Sequence, residues 1–271
     1  MIGSDGTRIA SRRFGVALTC TLSLLIISAA SIRGQNTPDK AKTAVPTVEE
    51  IFNNYEDAIG GRAAWASLVS LKESGTVAIL HTGVTGTYEN YFLGPTTKFY
   101  GIIKMANGAI DTVGFDGEVG WATNPGTGLR KLAGGELITI KRAAHFPEVI
   151  HFREFFDHVE LKGKTHVGLR EAYAIEMTSA DGVPATAYFD SHTWLRLELD
   201  YAFDTPGGSE SVHANFEDYR DAEGLKIKIP YREIDKTAAY TMVLQTKELR
   251  FNEPIDESIF KAPSFRAHVQ Q

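Results

Sequence analysis

The residues that could do chemistry are few. The first to test is Asp190-Ser191-His192, an acid, a hydroxyl and an imidazole side by side. A hydrolytic triad needs these types converging with the base between nucleophile and acid, and chain neighbours on one loop rarely do that. The flanks decide the matter. Ala185, Ala187 and Phe189 alternate with Thr186, Tyr188 and Asp190 before it, and Leu195, Leu197 and Leu199 alternate with Arg196, Glu198 and Asp200 after it. Period two on both sides predicts strand, turn, strand, with Asp-Ser-His-Thr as a polar hairpin tip.

Other candidates fall to similar arguments. His145, Glu148 and His151 are three residues apart, whereas zinc on a helix wants histidines at i and i+4 plus a further ligand, and Pro147 breaks the register. His158, His166 and His213 have no partner at ligand spacing. A Gly-x-Ser-x-Gly elbow is absent, and Gly207-Gly208-Ser209 lies in a Pro-Gly loop. Gly60-Gly61 and Gly134-Gly135 read as a helix stop and a helix start, not as phosphate cradles. Asp116-Gly117 is a tight-hairpin signal and Asp221-Ala222-Glu223-Gly224 a longer turn, so these carboxylates sit at tips and not paired in a cleft. Neither catalysis nor a cofactor is expected, and a lipid hydrolase finds no support in the motifs.

The elements that carry these residues are mostly strands. Thr47-Val48-Glu49-Glu50 is a capping box, and Ile51, Phe52, Tyr55, Ala58 and Ile59 follow at helical spacing until Gly60-Gly61. A short turn around Ala63–Leu68 carries Trp65. Beyond Val69 the chain alternates: Leu71, Val77 and Ile79, then Val84, Tyr88 and Phe92, then Phe99, Ile103 and Met105, each set on one parity. Further strands are predicted near 110–115, 118–123, 158–167, 171–178, 184–190, 194–202, 210–220, 226–235 and 239–251. Such spacing predicts a meander in one large antiparallel sheet. Residues 134–158 interrupt it with helical periodicity on either side of Pro147. Several strands are apolar on both parities, so either both faces are packed or one lines a cavity.

The chain of 271 residues carries a net charge of −6. Residues 1–30 read as a signal peptide, with Arg8, Arg12 and Arg13 before an apolar run from Phe14 to Ala30 and cleavage expected near Ala30. A retained anchor and twin-arginine export are the alternatives. The lone cysteine, Cys20, lies in this segment without a lipobox, so the mature chain would have no disulfide. Removing three Arg and one Asp leaves −8, which argues against nucleic acid as partner. Residues 31–46 read as a flexible linker, 47–265 as one domain and 266–271 as a tail.

The segments "IGGRAAWASLVSLKESGTV", "GFDGEVGWATNPGTGLRKLAGGEL", "AYFDSHTWLRLELD", "FEDYRDAEGLKIKIP" and "FNEPIDESIF", in this order, resemble the exported LolA-like proteins, the outer-membrane lipoprotein-sorting family. The resemblance spans about 47–263. It implies an α+β fold: a large curved antiparallel sheet forming a half-open β-barrel around an apolar cavity, with the N-terminal helix and the insert at 134–158 as lid. It implies a monomeric periplasmic or envelope protein that carries lipid or lipoprotein acyl chains between membrane-bound donor and acceptor proteins, without catalysis. An exported scaffold or signalling module of the same fold with a filled interior is the alternative. The residues expected to line the site are Tyr88, Phe92, Phe99, Ile103 and Trp121 from the sheet, with Phe152 and Phe155 from the lid. Trp194, sharing parity with Arg196 and Glu198, is expected on the more polar face.

Overall fold

The structure, a computed structural model, describes residues 45–265 apart from 95–96, 147–150, 180–181, 206–207 and 223, and gives the backbone alone for 152–153 and 203–205. The signal segment, most of the linker and the tail expected from the sequence lie outside the described residues.

Two helices open the fold, α1 (Val48–Ala58) and α2 (Arg62–Ala66). The capping box forms as expected: the Glu50 amide donates to Thr47 Oγ1 at 3.2 Å, and the Thr47 amide donates to Glu50 Oε2 at 2.7 Å. Thirteen strands follow: β1 (Ser70–Leu80), β2 (Val84–Leu93), β3 (Lys98–Met105), β4 (Ile110–Phe115), β5 (Gly120–Asn124), β6 (Gly128–Lys131), β7 (Phe156–Val167), β8 (Arg170–Ser179), β9 (Pro184–Asp190), β10 (Arg196–Thr205), β11 (Gly208–Asp221), β12 (Lys228–Lys236) and β13 (Thr241–Phe251). The helices α3 (Gly134–Ala144) and α4 (Phe152–Phe155) lie between β6 and β7, and a 3-10 turn at Glu257–Phe260 is the last element among the described residues.

All strands join one antiparallel sheet in the order β6-β5-β4-β3-β2-β1-β13-β12-β11-β10-β9-β8-β7. Every neighbour is a sequence neighbour except β1 and β13, which pair from Leu71↔Phe251 to Leu80↔Thr241. The sheet is therefore two meanders joined at their first and last strands, and its free edges are β6 and β7. The sheet does not close.

Its curvature follows from what α3 touches. This helix lies close to β3, β4 and β5 and also to β10. β3 and β10 are six strand steps apart in the sheet. In a flat sheet that is about 29 Å at ~4.8 Å per strand. A helix is about 10–12 Å across with its side chains. One helix can reach both only if the sheet curls around it, which is the half-open barrel expected from the sequence.

Register defines an inner face that carries the helices. On it, α1 sets Phe52 and Tyr55 against Phe189, at ring distances of 5.5 and 5.1 Å, within a cluster that includes Ile175, Leu199, Tyr201 and Phe216. On the other half of the sheet α3 sets Ile140 and Ala144 into a cluster with Phe99, Val113 and Phe115. Between these two lies a third cluster, Val77, Ile79, Tyr88, Ile103, Met105, Met242 and Leu244.

Candidate functional site: the inner face and its lid

The inner face can be read strand by strand. Leu71 pairs with Phe92 and Gly75 with Tyr88. Phe92 pairs with Phe99 and Tyr88 with Ile103. Phe99 in turn pairs with Phe115. Paired residues share a face, so Tyr88, Phe92, Phe99 and Ile103 all lie on the inner face. Gly75 makes this possible: a Cβ there would lie 2.7 Å from Tyr88 Cε1, so only glycine lets the tyrosine ring lie across β1. Ile103, Tyr88 and Phe99 are fully buried, whereas Phe92 is half-buried.

Trp121 is not among them. It pairs with Gly114, which pairs with Tyr100, and these belong to the outer face. The indole lies 5.9 Å from the Tyr100 ring, and its Nε1 is 3.5 Å from the Phe260 carbonyl. Its neighbour Gly120 faces inward instead, where a Cβ would lie 2.8 Å from Leu137 Cδ1 of α3. The small residues around Trp121 thus make room for the helix, not for a ligand beside the indole. Trp194 also differs from expectation: it stacks on Tyr173 at 5.7 Å and 7° and packs against the inner-face cluster of α1.

The lid is anchored at one end and aromatic at the other. Arg130 of β6 donates from Nη1 and Nη2 to both carboxylate oxygens of Glu136, at 2.5 and 2.6 Å, pinning the first turn of α3. Just past α3, Phe146 meets Trp65 of α2 edge-on at 5.1 Å and Phe92 at 4.8 Å. Phe155 packs on His145 at 4.9 Å and against the α1 cluster. Of Phe152 the structure describes the backbone alone, in α4; its side chain, like all of Glu148, lies outside the described residues.

The inner face is not wholly apolar, which the sequence reading missed. Glu73 Oε1 accepts from Tyr88 Oη at 2.8 Å and from Thr246 Oγ1 at 2.7 Å, and Asn90 Nδ2 donates to Glu73 Oε2 at 3.3 Å. Glu233 and Asp235 pair with Leu244 and Met242, so they too face inward. Glu73, Tyr88, Asn90, Glu233 and Thr246 surround a cavity of about 40 Å³, room for about one water. Burial first, and the Glu73 charge second, push the Glu233 carboxyl up to about 7. Burial and then the Glu233 charge hold Asp235 well above the usual carboxylate range. The signal was acidic residues on the inward parity of β1 and β12, but only cross-strand register shows that they converge.

The constellation that the sequence offers for catalysis resolves into a turn, and a second group that only the register assembles satisfies its own hydrogen bonds. Asp190 Oδ1 accepts from the His192 and Thr193 amides at 2.9 and 2.6 Å, and its Oδ2 meets Arg170 Nε at 2.7 Å. Ser191 Oγ touches both Glu171 and His192, so the hydroxyl, not the imidazole, sits in the middle, the wrong order for a triad. On the outer face His213, which has no partner at ligand spacing in the sequence, meets Asp200 across the β10–β11 ladder at 2.9 Å, with Glu198 close by. Tyr188 donates to the other Asp200 oxygen at 3.1 Å and Asn215 to Glu198 at 2.6 Å, so the group satisfies itself.

Neither a protein-family model nor a curated protein matches the sequence. Solved structures do. A LolA superfamily protein from Nitrosomonas europaea superposes with a TM-score of 0.54 at 14% identity, over 80% of this chain and 98% of that one. The fold is LolA-like. A DUF1329 family protein from Desulfovibrio piger gives 0.54 at 15% identity, over 79% and 97% of the two chains. A domain ascribed to outer membrane lipoprotein sorting, from Vibrio parahaemolyticus, gives 0.51 at 9% identity, over 79% and 97%. At these identities the likeness fixes the LolA-like architecture and leaves the ligand to be argued from the residues. Among the described residues no helix is long and apolar enough to cross a membrane.

Proposed function

We propose that the chain is an exported, non-catalytic carrier or binder of lipid or lipoprotein acyl chains, held between the inner face of the sheet and the α3–α4 lid. The observation that carries this reading is the placement of α3. It occupies the space that the curled sheet encloses, anchored in its first turn by the Arg130–Glu136 pair and packed by apolar contacts such as Leu137 and Ile140 over Gly120. An acyl chain can replace such contacts like for like, gaining about 0.8 kcal/mol per CH₂ taken from water. Phe92, Phe146 and Phe155 are half-buried at the lid and would be the first groups to meet it. The structural neighbours with LolA and lipoprotein-sorting descriptions support the same reading by analogy of fold.

A scaffold with a filled interior is the second reading, and the full burial of Tyr88, Phe99 and Ile103 with the lid in place favours it. The two differ in whether α3 yields to a ligand. Gentle native mass spectrometry and uptake of a fluorescent fatty acyl probe decide between them: a co-purifying or captured lipid supports the carrier, while a clean apo mass without uptake refutes it.

A further inference from the structure

Among the described residues Arg142 is the one buried cation, and the buried acids that have a basic partner meet that partner elsewhere. Glu56 has Arg62 at 2.5 Å, Asp190 has Arg170 at 2.7 Å and Asp200 has His213 at 2.9 Å. Arg142, in the last turn of α3, is only 4% exposed, and its Nη1 is buried with no hydrogen-bond partner among the described residues. Its guanidinium lies over the ring of Phe156, the first residue of β7, with Cζ 5.3 Å from the centroid. Phe156 belongs to the α1 cluster, whereas Ile140 and Ala144 of the same helix pack on β3–β5. Arg142 therefore bridges the two halves of the barrel beneath the lid, beside the gap between the sheet edges.

Arginine keeps its charge at any ordinary pH. Burying it without a counter-ion is strongly unfavourable, and the face of one phenyl ring offsets only part of that. A guanidinium so placed is matched by a planar or tetrahedral oxyanion, which it holds with two parallel hydrogen bonds. The acyl site supplies the context: a chain lying among Phe92, Phe146 and Phe155 brings its polar end to the last turn of α3. Resting on that reading, we propose that Arg142 binds the anionic head of the cargo, so that the preferred ligand is an acyl or alkyl chain ending in a carboxylate or phosphate monoester. A chain already esterified or amidated through its carbonyl offers no such oxyanion, so the assignment favours a free anionic amphiphile over the acyl chains of a lipoprotein.

The test uses the full chain, titrated with dodecanoate, dodecyl phosphate and uncharged methyl dodecanoate. The acid and the phosphate are expected to bind about 10- to 100-fold more tightly than the ester, the range for a charge-assisted hydrogen-bonded pair. In Arg142→Met both anions should fall to the affinity of the ester, with the ester unchanged. Because methionine suits a buried apolar site, the unliganded variant should melt at or above the wild-type temperature. A wild type without preference for the anions, a preference that survives in the variant, or an unliganded variant that melts lower would each overturn the assignment, the last because it would reveal an internal partner. If no amphiphile binds the wild type, the carrier reading fails, and acetate and inorganic phosphate then test Arg142 alone. An Arg142-dependent rise in melting temperature with either keeps the anion site; no rise removes it.

Discussion

Replacing Glu233 with glutamine probes the acidic band inside the barrel. Glu233 faces inward opposite Leu244, beside Asp235 and the Glu73 network, and its carboxyl is pushed from 4.5 up to about 7. A folded-state value above the unfolded one means that the native state holds the proton more tightly. The stability this contributes is complete below about pH 4.5 and is lost as pH rises through 7. At ~1.4 kcal/mol per tenfold change in proton affinity, ionising Glu233 costs the native state up to about 3 kcal/mol at pH 8. Asp235, shifted in the same direction, adds to the slope. Glutamine removes the ionisation and keeps the shape. Urea denaturation of both proteins between pH 4.5 and 8 is the assay. Glu233→Gln should match the wild type near pH 4.5 and exceed it by 1–3 kcal/mol, on the order of that full cost, at pH 8. A stability difference that stays constant with pH, or a variant weaker at pH 8, would refute the argument that this carboxyl is destabilised by burial and by its acidic neighbour.

Three more outcomes follow from particular contacts. A Cβ on Gly114 would lie 2.5 Å from the Trp121 ring, so Gly114→Val should displace the indole, red-shift its emission and cost about 1–3 kcal/mol, measured by fluorescence-monitored unfolding. Arg130→Ala should release the first turn of α3 and speed hydrogen exchange over 134–144 several-fold, while β9 keeps its protection; unchanged exchange in α3 would show that the pair is not its anchor. Ile103→Asp places a charge where exposure is 0% and should unfold the protein at a cost of several kcal/mol, whereas Phe92→Asp at a half-buried site should fold and lose acyl uptake. A Phe92→Asp protein that folds and still binds would remove Phe92 from the site.

Much of the fold was legible because local chemistry dictated it. The capping box at Thr47, the turn held by Asp190 and the period-two parity of β2 and β3 each rest on residues within a few positions of one another. β6 escaped because Gly128–Lys131 is too short to show alternation. The face of Trp121 was misread because a strand's parity is fixed by its partner: Gly114 and Tyr100 decide it, not the neighbours in "EVGWAT". The acidic band and the Asp200–His213 contact are cross-strand facts, and Arg142 is unusual only once its burial and lack of partner are known. Helical periodicity located the lid but was silent about which side chain it buries unpaired.

The single non-sequential pairing, β1 with β13, also governs how the molecule can assemble. Each meander closes by short hairpins and needs little loop entropy, but the ladder from Leu71↔Phe251 to Leu80↔Thr241 joins the two ends of the domain and must wait for the whole chain. Closing it is the step expected to limit the folding rate. A cut in the lid, between β6 and β7, leaves two contiguous fragments whose sheet contact is that one ladder. The half-barrel is thus organised as a split protein whose halves share one sheet seam, backed by the packing of α1 on the second meander.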